Sequence, residues 1–386
     1  MVIISSSGTT ASFSKSFITN DGINWSSNTI GSGIYMNGLL WTGQYWYFIG
    51  NGADGRSPDG RNWTVTGSGN TFTIGGAAWN GNVLVRSSNT FAAYSYDASN
   101  WTVVSNSNVA SNAYLINLVW GKDKFVGTLF AGSGVGNQFV YSYDGITWYG
   151  GGYPFGFGTS PNSVGYNGSY FIALNCAANR VAKSTDGINW TVSVLNASFG
   201  TTWPYVGIAW NGNIWVATNQ GGGTATSLFT SPDGTTWTAR SQPFIPNNMW
   251  DVTWNGSAFY AVGVSNTTCV VIKSTNGSNW SFVSNIDTNP NGQFMMRISS
   301  RKTNITPITP AAWSLTTPIS NVDMNNFSIR NAPSVSITRY LGNFFNVRSF
   351  SNLYLWYDAA DINGNGTALA DGPRNLYSYG SGREEV

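Results

Sequence analysis

Ser-Thr-Asp-Gly-Ile-Asn-Trp at residues 184–190 decides the fold, because the stretch does not stand alone. The same pattern (Ser or Thr, any residue, Asp, Gly, two residues, Trp) ends as TNDGINW at Trp25, SPDGRNW at Trp63, SYDASNW at Trp101 and SYDGITW at Trp148. It ends as STDGINW at Trp190, SPDGTTW at Trp237 and STNGSNW at Trp280. Its acidic position is held by Asp21, Asp59, Asp97, Asp144, Asp186 and Asp233, and by Asn276 in the last copy. Copies recurring about every 40 residues mark a chain built of repeats.

Between successive copies lies a second motif, an apolar pair, a turn and an apolar run. AWNGNVLV at residues 78–85 is its clearest form, joined by LWTGQYWYFI at 40–49, VWGKDKFV at 119–126, GYNGSYFIA at 165–173, AWNGNIWVA at 209–217 and TWNGSAFYAV at 253–262. Asn-Gly between apolar runs signals a hairpin, expected with a type I′ turn and positive φ at both central residues. Each repeat then holds two hairpins and four strands: a before Asn-Gly, b after it, c up to Ser-x-Asp, and d from the Trp. Strand b is apolar at consecutive positions, as in Tyr170 to Ala173, which points to burial on both faces. Radial stacking of four-stranded antiparallel sheets provides that burial, so the expected fold is all-β, a seven-bladed β-propeller over residues 1–300. The first repeat lacks an upstream hairpin, and QFMMRIS at 293–299 falls where another strand a is due. We expect 293–299 to complete a blade begun by N-terminal strands b, c and d, closing the ring.

Composition narrows the chemistry. With no His, the chain lacks the usual general base, the Ser-His pair and most zinc sites. Glu occurs only as Glu384 and Glu385, so acid–base work would fall to Asp, Tyr or Lys. Lys and Arg number 18 against 16 Asp and Glu, which leaves no basic stripe for phosphates, and no nucleic-acid partner is expected. Cys176 and Cys269 are too few for a disulfide framework and read as core residues. No cofactor or metal site is expected, and neither a secretory signal nor a membrane span is read from the chain.

On these motifs the sequence resembles the Asp-box, or bacterial-neuraminidase, repeat of sialidase-like propellers, with one residue fewer between Asp and Gly. The resemblance implies that the motif is the turn from c to d, with Asp accepting backbone N–H groups and Trp covering the turn. A sialidase would also need an arginine cluster and a Tyr–Glu pair; no Glu stands in residues 1–300. Outside the turns, the carboxylates of this part are Asp54, Asp123, Asp251 and Asp287. An Asp-dependent hydrolase or lyase acting on carbohydrate is the alternative reading, and it expects Asp54 and Asp251 close together.

In this strand order the a–b and c–d turns share one end of every blade, and the b–c loops and d-to-a crossovers share the other. All the variation in length falls at the second end, where binding is expected. Its segments are glycine-rich, aromatic and nearly uncharged, which suits sugars: rings stack on C–H faces and amides bond hydroxyls. The candidate ligand-binding residues are Tyr153, Phe155, Phe157, Trp203, Tyr205 and Phe244, with Arg180, Asn219 and Gln220 as polar partners.

After Arg301 the composition turns rich in Thr and Pro, and 301–320 reads as a linker. VDMNNFSIRNAP at 322–333 resembles a short segment of fibre and surface proteins of phages and large DNA viruses. LYLWYDAADINGNGT at 353–367 resembles the opening strand of concanavalin or laminin-G-like lectin domains, with too few residues after it to complete one. Residues 321–386 are therefore expected to attach the propeller to other structural chains. The expected protein is a non-catalytic recognition or structural component at a virion surface or outside the cell, binding glycan or a surface protein. A purely architectural capsid or fibre component is the third reading.

Overall fold

The computed structural model describes residues 1–301 apart from 8–12, 68–74, 89–90, 105–108, 110–113, 131–136, 156–160, 162, 176–178, 197–206, 220–226, 244–247, 266 and 289–293. Beyond 301 it describes 335–336, 355–356 and 375–376.

Every expected hairpin forms. Blade one holds β1 (Val2–Ser7), β2 (Phe13–Ile18) and β3 (Ser26–Ser32); blade two β4 (Tyr35–Trp41), β5 (Trp46–Asn51), β6 (Ala53–Ser57) and β7 (Thr64–Gly67). Blade three holds β8 (Ala77–Trp79), β9 (Leu84–Ser87), β10 (Ala92–Ser95) and β11 (Thr102–Val104); blade four β12 (Tyr114–Gly121), β13 (Lys124–Phe130), β14 (Phe139–Ser142) and β15 (Tyr149–Gly150). Blade five holds β16 (Ser163–Tyr166), β17 (Phe171–Asn175), β18 (Arg180–Ser184) and β19 (Thr191–Val194); blade six β20 (Ile208–Trp210), β21 (Trp215–Thr218), β22 (Leu228–Ser231) and β23 (Thr238–Arg240). Blade seven holds β24 (Asn248–Trp254), β25 (Phe259–Ser265), β26 (Thr268–Ser274) and β27 (Ser281–Thr288). The last strand, β28 (Phe294–Ser299), pairs antiparallel with β1 and makes blade one the four-stranded sheet β28-β1-β2-β3. The ring closes as the sequence reading expects. Strand a of each blade touches strand a of both neighbours, so these seven strands surround the central axis.

The core is a set of wedges between blades, with strand b serving two at once. On β17, Phe171 and Ala173 pack toward blade four while Ile172 and Leu174 pack toward blade six. On β25, Phe259 and Ala261 join the wedge with blade six, and Tyr260, Val262 and Val264 the wedge with blade one. Each of the large aliphatic and phenylalanine side chains among them contributes roughly 1.5–3 kcal/mol on burial, which explains why strand b reads as an apolar run.

One local expectation is corrected. In the Asn-Gly hairpins only the Gly has positive φ, as at Gly81 (100°), Gly168 (98°), Gly212 (101°) and Gly256 (102°). That is the type II′ pattern, with Gly first of the two central residues. Asn takes the preceding position because its side chain closes the turn: Asn80 Oδ1 accepts the N–H groups of Asn82 and Val83. Type I′ signs appear in blade four, where Lys122 and Asp123 have φ of 47° and 61°.

The chain divides into two compact units, Met1–Ile308 and Thr309–Val386. In the second, β29 (Val335–Ser336) pairs parallel with β30 (Leu355–Trp356), which pairs antiparallel with β31 (Asn375–Leu376).

Candidate binding site

At the uniform end, the acidic turn residues are spent on structure. Asp186 Oδ1 accepts the N–H groups of Ile188 and Asn189 and the Ser184 hydroxyl, while its Oδ2 takes the Asn189 amide. Asp21, Asp59, Asp97, Asp144 and Asp233 bond in the same way. Backbone N–H bonds from Asn100 and Ser99 hold the Asp97 carboxyl well below its usual range. Asn276 Oδ1 accepts from Ser278 and Asn279 equally well, so the turn needs an oxygen rather than a charge. The turn Gly fits because a Cβ would strike strand b of the preceding blade: at Gly145 it would lie 2.5 Å from Val85 Cγ2, at Gly277 3.0 Å from Val216 Cγ2. Ala98 takes φ of 58° in the deviant copy. Two turn Trp residues pack on the preceding blade: Trp148 meets Phe91 of blade three edge-on at 5.4 Å, and Trp190 stacks on Phe139 of blade four at 3.9 Å. Trp237 is buried, and Trp25, Trp63, Trp101 and Trp280 border their own wedges. Long cations lace blades together here: Arg56 donates to Asp97 O, Lys122 to Thr185 O and Lys183 to Asp233 O.

At the loop-bearing end, Phe157, Trp203, Tyr205, Gln220 and Phe244 lie outside the described residues. Tyr153 is partly buried and Arg180 is exposed, its Nη1 donating to Phe155 O at 3.3 Å. Phe155, expected as an exposed ring, is instead 3% exposed and packs on Phe139 in the wedge between blades four and five. Its backbone is fixed by Gln138 Oε1, which accepts the Phe155 N–H at 2.7 Å. Asn219 is likewise buried at the root of the b–c loop; its N–H donates to Ser227 O and its carbonyl accepts from Met249 of blade seven.

The two carboxylates of the hydrolase alternative are engaged separately. Asp54 on β6 pairs with Arg86 of blade three (3.1 Å, side chains 2% and 5% exposed). Burial pushes the Asp54 carboxyl up, against the pull of Arg86. Arg86 also lies 4.5 Å over the Trp101 ring. Asp251 stands on β24, at the seam between blades seven and one. Its Oδ1 accepts Val252 N–H and its Oδ2 accepts Ile298 N–H of β28 at 3.0 Å. The expected juxtaposition of Asp54 and Asp251 is therefore replaced by two separate networks, because each carboxylate is drawn to the donors of its own seam. Burial pushes Asp251 up to about 6 although Arg297 and the two N–H groups oppose it.

Two features escaped the sequence reading. Three residues before the aromatic that ends strand a stand Gly38, Gly76, Asn117, Ser163, Gly207 and Asp251, with Arg297 in blade one. A Cβ on Gly76 would lie 2.8 Å from Asn117 Cα, and one on Gly207 2.6 Å from Asp251 Cα, so neighbouring inner strands meet there almost backbone to backbone. Aligning the repeats on that aromatic is the signal that finds this ring. The second feature is a pair of tyrosine hairpins at the uniform end of blades three and four. Tyr94 and Tyr96 meet edge-on at 5.8 Å, Tyr141 and Tyr143 at 5.9 Å, and Tyr141 stacks on Tyr149 at 5.3 Å. Tyr96, Tyr143 and Tyr149 are 59%, 55% and 42% exposed.

Comparison with solved structures finds a similar fold in other proteins. Virginiamycin B lyase from Staphylococcus aureus superposes with a TM-score of 0.52 at 12% identity, covering 69% of this chain and 88% of its own. A protein from Bacteroides uniformis, described as a candidate 6-phosphogluconolactonase, gives 0.51 at 12% identity, covering 76% and 98%. The WD40 propeller of Doa1 gives 0.47 at 8% identity, covering 69% and 90%. The likeness is one of fold. No protein-family model and no curated protein matches the chain.

Proposed function

We propose that the chain is a non-catalytic recognition module: a propeller that binds glycan through its loop-bearing end and is held by its C-terminal segment to other structural chains, at a virion surface or outside the cell. One observation carries the reading. The turns of the uniform end are spent on closing themselves and on bonds to neighbouring blades, while loops of unequal length gather at the other end on the same rigid frame. The carboxylates that a hydrolase would need are consumed, Asp54 by Arg86 and Asp251 by two backbone N–H groups. The resemblance of the turn motif to sialidase-like repeats, and of 322–333 and 353–367 to fibre and lectin segments, supports a sugar ligand and an attachment role.

The test is a glycan-array screen of the full chain beside Trp203→Ala, Tyr153→Ala and Tyr143→Ala. The proposal expects selective binding that the first two variants weaken and Tyr143→Ala leaves intact. Loss in Tyr143→Ala alone would move the site to the tyrosine hairpins. No binding at high protein density would reject glycan recognition.

A further inference from the structure

We infer that β28 is a tension-bearing clasp, built so that pull on the C-terminal segment against a ligand at the loop-bearing end shears it along its whole length rather than peeling it. The inference rests on the reading that the chain is held by its C-terminal segment.

Three observations carry it. The first is where the chain leaves the propeller. Arg301 lies 4.4 Å over the ring of Trp41, at the end of strand a in blade two, and its Nη2 donates to Pro58 O in the Asp59 turn at 3.2 Å. Both partners belong to the uniform end, so Arg301, the last described residue of this unit, lies opposite the variable loops. The second is register. β28 runs antiparallel to β1 from Phe294 opposite Ser7 to Ser299 opposite Val2. Its strands span from one end of the blade to the other, so a pull between the two ends lies along the ladder and loads its hydrogen bonds together. The third is lateral support. The residues here are tied to the two neighbouring blades: Arg297 Nε donates to Asn37 O of blade two at 2.6 Å, while Ile298 N–H donates to Asp251 and the Ser300 hydroxyl to Trp254 O, at 2.7 Å, both of blade seven. Asp251 and Arg297 are the charged residues among the described residues of the seven inner strands, and both stand at this seam. A further tie, Lys15 to Asp287 at 2.8 Å, joins β2 to β27 across the same seam.

The same geometry makes a weak direction as well as a strong one. Met1 and Arg301 lie at the same end, so pulling the two termini apart opens the ladder one pair at a time, starting at Val2 and Ser299.

Single-molecule force spectroscopy on the full chain distinguishes the two. The comparison needs only two pairs of attachment points: the C-terminus with the N-terminus, and the C-terminus with Tyr114→Cys, an exposed position where strand a of blade four begins. The second uses a Cys176→Ser background; Cys269 is buried. Forced opening reports the barrier to rupture. The expected result is a rupture force several-fold higher with the Tyr114→Cys attachment, lowered by Arg297→Ala and Arg301→Ala. Equal forces in the two directions would overturn the inference, as would a high force that neither variant lowers. A negative glycan array would reject the recognition reading and leave this measurement unaffected, so the two failures are separable.

Discussion

Removing Arg86 should unfold the protein far more readily than removing Arg86 and Asp54 together. Their atoms stand 3.1 Å apart, with side chains 5% and 2% exposed, in the wedge between blades two and three. At an effective dielectric of about 20, two unit charges at that distance attract by about 5 kcal/mol. The desolvation cost of the pair offsets much of this, so the pair contributes little net stability. The asymmetry appears when one partner is lost. Arg86→Met leaves Asp54 buried beside Tyr47 with only the Gly50 N–H as a close backbone donor, and breaking such a pair costs about 3–5 kcal/mol. Part of that cost comes from the stack on Trp101, which Met only partly replaces. Asp54→Leu with Arg86→Met should lie within about 1.5 kcal/mol of the parent. The assay is equilibrium urea unfolding of the full chain, followed by tryptophan fluorescence, for the parent, both single variants and the double. A loss below about 1 kcal/mol for Arg86→Met, or a double variant whose loss equals the sum of the singles, would refute the reasoning.

Asp251 offers a pH test. Its folded-state pKa is raised from 3.8 to about 6, so between those values the folded protein binds more protons than the unfolded one. Stability from this group is full below pH 4 and is lost as pH rises through 6, by at most about 3 kcal/mol. Asp251→Asn should remove that slope from unfolding free energies measured between pH 4 and 7; an unchanged slope would contradict the assignment. Gly145→Ala should cost about 2 kcal/mol or more, since its Cβ would lie 2.5 Å from Val85 at a φ of 79°. Gly81→Ala, with open space around it at a φ of 100°, should lose only the backbone part, about 1 kcal/mol. Thermal unfolding that ranks these two the other way round would show that the turn does not press on the preceding blade.

Much of the fold is legible in the sequence because a repeat states the same local rule many times over. Seven turns of the Ser-x-Asp-Gly-x-x-Trp pattern and six a–b hairpins, four of them turning at Asn-Gly, announce the blades, and the apolar runs of strand b announce burial on both faces. The missing hairpin at the N-terminus and the stray strand at 293–299 announce the closure, which β28 and β1 make. The turn type departs from the expected one because Asn-Gly admits both primed turns, and the choice goes to the one in which the Asn side chain can cap the loop. Phe155 departs from its expected exposure because an aromatic in a glycine-rich loop looks the same in sequence whether it faces water or a wedge.

The sequence by itself determined the blade number, the strand order and the closure, because all of these follow from local periodicity and short-range hydrogen bonding. Only the tertiary structure decided which carboxylates are free. Asp54 finds Arg86 across one seam and Asp251 finds Ile298 across another, pairings between residues that no local pattern links. The same holds for Arg301 over Trp41, which sets the last described residue of the propeller opposite the variable loops. Such facts depend on which blade lies beside which once the ring has closed, and that adjacency exists only in three dimensions.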